Sequence, residues 1–282
     1  MFKTKKRIVV TCIAAVCLVL LTIWISWGNT ALELNLYHVE SDKIPSAFDG
    51  FRIAQVSDLH NTEIGKDNEK LLSMLKESNP DIIVITGDII DCRKTNIDIS
   101  LAFAEQAVQI APCYYVTGNH ETYVEEYEDF KNSLIDLGVI VLADVKTEIE
   151  LSGEKITLVG VDDPSFSWTD NETLITEKLD NLLGEDDGYT ILLSHRPELF
   201  EIYVEKGVDL VFTGHAHGGQ VVIPFIGGVI APNQGLFPKY DAGIYTDGET
   251  NMLVSRGVGN SLFPFRVNNR PEVILVELVS SK

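Results

Sequence analysis

Cysteine is scarce in this chain, which has only four cysteines in 282 residues. None has the Cys-x-x-Cys spacing, which excludes a cysteine zinc site and thioredoxin-like chemistry. Cys12 and Cys17 lie in an apolar run, where they act as small hydrophobic residues. Cys92 and Cys113 can form a disulfide only if the fold brings their Cα atoms within about 7 Å. The cysteines therefore leave the redox compartment undecided.

Positive charge is also scarce outside the N-terminus. The chain has 22 basic and 42 acidic side chains, and four of the basic ones are Lys3, Lys5, Lys6 and Arg7. Residues 28–282 thus carry 18 basic against 42 acidic groups. An acidic body of this kind repels a phosphate backbone, so no nucleic-acid partner is expected.

Charge of either sign is missing from Ile8 to Leu32. The 20 residues of 8–27 are uncharged and mostly apolar, and as a helix they are long enough for a hydrocarbon layer of about 30 Å, with Trp24 and Trp27 at the interface. We predict a transmembrane anchor at 8–27, preceded by a cytoplasmic basic segment at 1–7. The chain is then a single-pass protein of the cell membrane, with residues 28–282 outside the cytoplasm.

Two alternatives to an anchor remain open. A cleaved signal peptide also begins with basic residues, but the stretch Ser26–Ala31 offers a poor cleavage site. A helix buried in a soluble protein is the other alternative. The anchor and the signal peptide both predict export of the remaining chain.

Apolar runs alternate with helical segments from Phe51 onward. We interpret 28–50 as a tether and first strand, and 51–280 as one domain. Helices are predicted at NEKLLSMLKESNP, at SLAFAEQAVQIA and around Tyr123–Leu137, and later strands include VIVLAD and QVVIPF. The alternation indicates an α/β domain, with two sheets packed face to face and helices on the outside.

Polar residues with metal-binding side chains end five of the apolar runs. The carboxyl ends of strands in open α/β sheets converge on one crevice, so these groups are expected to meet. A single such fragment is ordinarily structural, but five of the six histidines belong to this set and only His38 lies outside it. The fragments are Asp58-Leu59-His60, Gly87-Asp88-Ile89-Ile90-Asp91, Gly118-Asn119-His120-Glu121, Ser194-His195 and Gly214-His215-Ala216-His217.

Nitrogen and oxygen donors without sulfur suit zinc, manganese or iron better than calcium. A carboxylate shared by two ions holds them about 3.5–4 Å apart, which allows them to activate water and neutralise a phosphoryl group. The donor set therefore predicts phosphoester hydrolysis.

The ordered series D-x-H, G-D-x-x-D, G-N-H-E, H and G-H-x-H, over about residues 51–220, resembles the calcineurin-like metallophosphoesterase superfamily. The resemblance implies a four-layer α/β/β/α sandwich with a binuclear centre, whose bridging hydroxide attacks phosphorus. It implies that His120 assists the leaving group and that Asp91 orients His120, while Glu121 supports the structure. It also assigns Asp58, His60 and His217 to one metal, Asn119, His195 and His215 to the other, and Asp88 to both.

The C-terminal part is similar to the membrane-associated branch with YkuE-like proteins and UDP-2,3-diacylglucosamine hydrolases. The similarity rests on Gly218-Gly219-Gln220, Ala231-Pro232-Asn233-Gln234-Gly235 and Ser255-Arg256-Gly257. It does not specify a substrate, but a site anchored next to the bilayer favours a lipid-linked or envelope phosphoester, with monoester, diester and pyrophosphate bonds all open. Candidate substrate-binding cations are Lys239, Arg256 and Arg266.

Two rival functions have sequence features against them. A non-catalytic metal-binding scaffold would normally have lost ligands, whereas every ligand position here is filled. A protein phosphatase would carry an arginine directly after Asp91, where this chain has Cys92.

Overall fold

The structure is a computed structural model that describes residues 2–184 and 187–282. Its N-terminal helix, α1, spans Phe2–Thr30, and Arg7–Thr30 is long and apolar enough to cross a membrane. None of its apolar window is buried against other residues, which contradicts the buried-helix alternative. The side chains of residues 1–6, and so most of the basic segment predicted at 1–7, lie outside the described residues.

Two six-stranded sheets and two layers of helices form the rest of the described chain. The α-helices after α1 are α2 (Glu69–Ser78), α3 (Ile97–Ala107), α4 (Tyr127–Asp136), α5 (Asn171–Leu182) and α6 (Phe200–Glu205). The strands are β1 (Glu33–Ser41), β2 (Arg52–Val56), β3 (Ile82–Thr86), β4 (Cys113–Val116), β5 (Ile140–Val141), β6 (Val145–Leu151), β7 (Glu154–Gly160), β8 (Thr190–Leu193), β9 (Leu210–Thr213), β10 (Val222–Ile223), β11 (Gly227–Gly228), β12 (Ile230–Ala231), β13 (Gly235–Leu236), β14 (Gly243–Asp247), β15 (Thr250–Val254) and β16 (Glu272–Ser280).

The first sheet has the strand order β1-β16-β2-β3-β4-β5, and the second has the order β14-β15-β9-β8-β7-β6. Strands β2 to β5 are parallel to one another, as are β7, β8, β9 and β15. These parallel strands are continuous apolar runs because both faces of each sheet are covered. The four remaining short strands form two hairpins, β10–β11 and β12–β13.

Three hydrophobic clusters separate the four layers. The inner faces of the two sheets pack against each other through side chains such as Val84 and Phe212. Helices α2, α3 and α4 cover the outer face of the first sheet, where Phe103 and Phe130 are buried. Helices α5 and α6 cover the second sheet through residues such as Leu179. The predicted α/β/β/α sandwich is confirmed.

The segment predicted as a tether and first strand is largely part of the first sheet. Strand β1 pairs in parallel with β16 along its whole length, from Glu33↔Glu272 to Ser41↔Ser280. Its side chains alternate between exposed and partly covered, as an edge strand with one solvent-facing side requires. Only Ala31 and Leu32 lie between α1 and β1.

Some predicted boundaries are wrong. The helix expected around Tyr123–Leu137 begins later, as α4, because a separate helical turn at Glu121–Tyr123 precedes it. The strand expected at VIVLAD is reduced to β5, an edge strand that pairs over two residues with Tyr114 and Tyr115. The strand expected at QVVIPF is reduced to β10, since a tight hairpin turns the chain back at once. Cys92 and Cys113 are free thiols, so no disulfide joins them.

Candidate metal centre

Five strand ends from the two sheets meet at one edge of the sandwich. Strands β2, β3 and β4 end there in the first sheet, and β8 and β9 end there in the second. Parallel strands place their carboxyl ends side by side, so the residues that follow them gather at this edge. Those residues are Asp58, His60, Asp88, Asn119, His120, His195, His215 and His217.

The backbone at this edge is strained. Left-handed backbone angles, with φ between 48° and 66°, occur at Asp58, His60, Asp88, His215 and His217. This conformation costs a non-glycine residue about 1–2 kcal/mol, and residues held in it cluster at functional sites. The surrounding packing maintains the strain.

Asp58, His60, Asp88 and His217 form a first group, with one ligand atom from each within 4.8 Å of the others. The Nε2 atoms of His60 and His217 lie 3.3 Å apart. Asp58 Oδ1 lies 3.4 Å from His217 Nε2, and Asp88 Oδ2 lies 3.6 Å from His60 Nε2. Four donor atoms therefore point at one buried position.

Asp88, His195 and His215 form a second group. His195 Nε2 lies 3.3 Å from Asp88 Oδ2 and 3.2 Å from His215 Nδ1. Asp88 Oδ2 thus lies next to ring nitrogens of both groups. The carboxamide oxygen of Asn119 is buried and has no hydrogen-bond partner among the described residues. An unpartnered buried oxygen at this position fits a ligand atom.

The pKa values of the histidines differ according to their neighbours. Burial lowers the pKa of His60 to about 3 and holds the pKa values of His215 and His217 well below the usual range, so these rings are neutral. Burial also opposes protonation of His195. The charge of Asp88 and a hydrogen bond to it outweigh burial, and the pKa of His195 rises to about 10. A divalent cation between His195 and Asp88 would replace that proton.

The types of donor atom in this cluster limit which metals it can hold. Neutral imidazoles, carboxylates and a carboxamide oxygen suit zinc, manganese and iron, whereas calcium prefers oxygen alone. Cys92, which directly follows Asp91, donates its backbone N–H to His120 Nδ1 and is not among the clustered ligand atoms. The buried Asp and His cluster therefore fits a transition-metal centre.

His120 borders this cluster, with its Nε2 4.0 Å from Asp88 Oδ2. The predicted orienting hydrogen bond from Asp91 is not seen, because Asp91 Oδ1 lies 3.6 Å from His120 Nδ1. Instead, the backbone N–H of Cys92 donates to Nδ1 at 3.2 Å. Burial lowers the pKa of His120, and the neutral ring then carries its proton on Nε2, 3.3 Å from Ser261 Oγ.

Asp91 instead holds Arg93, a residue that the sequence analysis missed. The guanidinium of Arg93 donates to both oxygens of Asp91, at 3.1 Å and 2.9 Å. Arg93 lines an open cleft of about 580 Å³ that reaches His60 and Asp91. The sequence analysis looked for an arginine only at position 92, directly after Asp91. Looking one residue further along the chain would have identified Arg93.

Arg196 is a second missed residue, directly after His195. Its guanidinium donates to both oxygens of Asp163, and its Nη1 lies 3.0 Å from His215 Nε2. Both side chains of this ion pair are almost fully buried. Burial lowers the pKa of Arg196, but the charge of Asp163 outweighs burial and raises it. Arg196 therefore packs as a cation against the outer nitrogen of His215.

Glu121 has the structural position expected of it. Its buried carboxylate accepts hydrogen bonds from the backbone N–H groups of Asp88, Ile89, Ile90 and Gly118, at 2.7–3.2 Å. These bonds join the loop after β3 to the loop after β4. The backbone that carries Asp88 is thereby held in place.

Arg266 and Arg256, predicted to bind substrate, are not among the residues that line the cleft at His60 and Asp91. Arg266 is buried and donates to Asn260 Oδ1 and to the carbonyl oxygens of Arg256 and Gly259. Arg256 forms ion pairs with Glu33 and Glu272, each at 2.8 Å. Arg256 uses its Nη2 in both ion pairs, and the two guanidiniums join residues 256–260 to the ends of β1 and β16.

Lys239, the third predicted substrate contact, also lies away from this cleft. It is exposed, pairs with Glu201 of α6 at 2.6 Å and lies over the ring of Tyr240. Helix α6 belongs to the outer layer on the second sheet, so this cation is not at the metal cluster. Three cations chosen by sequence are therefore replaced at the cleft by Arg93 and its neighbour Lys94.

Two face-to-face sheets with a buried Asp and His cluster at their strand ends define a metal-dependent phosphoesterase. The chain belongs to the calcineurin-like phosphoesterase family, whose model matches residues 51–219. It is 32% identical over 257 residues to the uncharacterized metallophosphoesterase YkuE of Bacillus subtilis (strain 168), covering 89% of this chain and 86% of that one. The predicted family membership is confirmed.

Two further comparisons agree. The chain is 30% identical over 239 residues to the phosphodiesterase YaeI of Escherichia coli (strain K12), covering 81% of this chain and 82% of that one. The crystal structure of TT1561 of Thermus thermophilus matches the fold with a TM-score of 0.51 at 13% identity, covering 74% of this chain and 90% of that one.

Proposed function

We propose that this protein hydrolyses phosphoesters with two divalent metal ions, Mn²⁺, Zn²⁺ or iron, bound at the five strand ends. The supporting observation is Asp88 Oδ2, which lies 3.6 Å from His60 Nε2 and 3.3 Å from His195 Nε2. A pair of metals that share a ligand requires one carboxylate in contact with both donor groups. In this proposal Asp58, His60 and His217 hold one ion, Asn119, His195 and His215 hold the other, and Asp88 contacts both.

The chemistry is divided between the ions and the side chains. When bound, the two ions supply an activated water and neutralise charge on the phosphoryl group. His120 directs its Nε2 N–H at the oxygen that leaves and stabilises the developing negative charge by a hydrogen bond, since the backbone N–H of Cys92 occupies its Nδ1. Arg93 and Lys94 attract the anionic substrate into the cleft. Asp91 acts as a positioning residue that holds Arg93.

We propose a phosphodiester as the bond that is cleaved. The support is the likeness to YaeI, which is named a phosphodiesterase. A pyrophosphate or a monoester would present a similar phosphoryl group to the same donor groups, so the site alone does not choose among the three bonds. A substrate panel with one representative of each bond, compared by kcat/KM, distinguishes the three.

We further propose that α1 anchors the protein in the cell membrane as a single span, with its N-terminus in the cytoplasm. The support is the length and exposure of Arg7–Thr30, together with the basic residues of 1–7. A lipid-linked phosphodiester is then the proposed substrate class, and a lipid-linked pyrophosphate such as UDP-2,3-diacylglucosamine is the alternative. Protease treatment of intact spheroplasts should remove the domain from α1, whereas a protected domain would contradict this topology.

The proposed reaction is tested with the full chain purified in detergent. Elemental analysis should give nearly two metals per chain, and bis(p-nitrophenyl) phosphate should be cleaved only with metal present. Asp88→Asn should lose metal and turnover because it weakens the shared ligand. Asp136→Asn, at an exposed position of α4, is the matched control and should change neither.

The possible results separate the functions. Bound metal without turnover on any of the three bond types would favour a metal-binding scaffold. Neither metal nor turnover with manganese, zinc and iron would overturn the proposal.

A further inference from the structure

The last turn of α1 is attached to a segment near the metal centre. Asn29 Oδ1 accepts a hydrogen bond from the backbone N–H of Arg266 at 2.9 Å and from Asn260 Nδ2 at 3.0 Å. Arg270 lies over the ring of Trp27, 4.7 Å from its centroid, and donates to Ala31 O at 2.8 Å. The end of α1 is thus fixed to residues 260–270.

A loop with exposed apolar side chains lies between the two attachment points of Asn29. We call residues 261–265 the apolar loop. Leu262, Phe263 and Phe265 are 73%, 43% and 44% exposed, although all three are large and hydrophobic. Adjacent exposed apolar side chains of this size indicate a surface that is covered by something else.

The apolar loop also borders the catalytic cleft. Ser261 Oγ lies 3.3 Å from His120 Nε2 and 3.2 Å from Arg93 Nη2. Leu262 lines the same cleft as His60 and Asp91. One short segment therefore connects the end of α1, the exposed apolar side chains and the catalytic cleft.

We propose that the apolar loop inserts into the membrane interface beside α1, so that the cleft opens onto the lipid headgroups and takes an anionic lipid phosphoester from the bilayer. This inference rests on the proposed membrane anchor and phosphoesterase function.

The position of the loop follows from the helix. Asn29 is two residues beyond the interfacial Trp27, or about 3 Å along the helix axis. Asn260 and Arg266, which are bonded to Asn29 and flank the apolar loop, are therefore at the level of the headgroups. Arg93 and Lys94 in the cleft complement the negative charge of such lipids.

The test compares two substrates with the same leaving group, using the full chain reconstituted in phosphatidylcholine vesicles. One substrate is the p-nitrophenyl ester of phosphatidic acid, held in the vesicles. The other is soluble bis(p-nitrophenyl) phosphate. In each case water adds to phosphorus, the P–O bond to p-nitrophenolate breaks, and the second product is phosphatidic acid or p-nitrophenyl phosphate.

The variant Phe263→Asp/Phe265→Asp should lower the ratio of lipid to soluble turnover about tenfold, because two apolar contacts with the interface are lost. Its metal content and soluble turnover should stay within twofold, which shows that it is folded. The conservative variant Phe263→Trp/Phe265→Trp should keep the ratio.

Ile135→Asp is the matched control, because Ile135 is 50% exposed on α4. Helix α4 packs beside β5, the strand at the opposite edge of the first sheet from β1. At the usual spacing between strands, β5 is about 24 Å from β1, the strand that directly follows α1. The control should leave the ratio unchanged.

Each outcome has a separate meaning. An unchanged ratio in the double Asp variant would overturn the inference, and conversion of a dimer to a monomer with that ratio unchanged would assign the loop to a second copy of the chain. Failure of both substrates in the unmodified protein would instead overturn the proposed phosphoesterase function.

Discussion

Arg196 and Asp163 form a buried, two-point ion pair next to the metal cluster, with distances of 2.5 Å from Nε and 2.8 Å from Nη2 to the carboxylate. Asp163 follows β7, whereas Arg196 follows β8. The pair therefore links two neighbouring strand ends. Through Nη1 it also supports His215.

Arg196→Met should lower the free energy of unfolding by about 3–5 kcal/mol, because it leaves the charge of Asp163 buried and unpaired. Asp163→Leu/Arg196→Met should recover much of this loss, since no charge then remains alone. Urea unfolding in the presence of chelator measures both. Additive losses in the double variant would contradict the coupling.

Support of His215 by Arg196 makes a separate prediction. Arg196→Met should weaken metal binding about 10–100-fold, the usual effect of losing a side chain that supports a ligand. Competition with a fluorescent chelator gives the affinity. An unchanged affinity would limit Arg196 to a purely structural role.

Glu121→Gln should destabilise the protein by about 2–3 kcal/mol. Both oxygens of Glu121 accept hydrogen bonds from backbone N–H groups. Glutamine replaces one of these oxygens with an NH₂ group, which is a donor and would face another donor. The loop of Asp88 should loosen and metal content should fall. Glu125→Gln, at an exposed position, provides the comparison, and equal stabilities would refute this role of Glu121.

Chelation should lower the melting temperature of the detergent-purified protein by about 5–10 °C, because ligand at a hundredfold excess over its Kd stabilises by about 2.7 kcal/mol. Asp88→Asn should melt at the same temperature with and without chelator. A shift of equal size in that variant would show that chelation acts elsewhere.

His120→Ala should keep both metals and lower turnover of bis(p-nitrophenyl) phosphate about 10²–10³-fold, the usual cost of removing one donor to a developing oxyanion. His38→Ala, on β1, is the matched control and should retain full turnover. A substrate with a better leaving group should be less affected by His120→Ala. Equal losses for good and poor leaving groups would argue against stabilisation of the leaving oxygen by His120.

The site could be predicted from sequence because each metal-ligand candidate lies within four residues of the end of a buried apolar strand, as Asp58 does after β2 and Asp88 after β3. Strand order then brings the candidates together without further information. The fold class followed from the same alternation.

Contacts between residues that are far apart in the sequence could not be predicted. Arg196 meets Asp163 only because β7 and β8 are neighbours, and Arg266 is buried because α1 and residues 256–260 surround it. A cation far from a motif has no periodic pattern that fixes its position, so Lys239 and Arg256 were placed wrongly. The pairing of β1 with β16 joins residues about 240 positions apart and likewise leaves no local signal.

Only Ala31 and Leu32 separate α1 from β1, and two residues extend no more than about 7 Å. If α1 crosses a bilayer, this linker is too short to let the domain move away from the membrane surface into the surrounding solution. The active site then meets only the substrate molecules in the membrane close to α1, and lateral diffusion supplies new ones. The quantity that governs its rate is then the mole fraction of substrate in the plane of the membrane, and dilution of the vesicles would leave turnover unchanged.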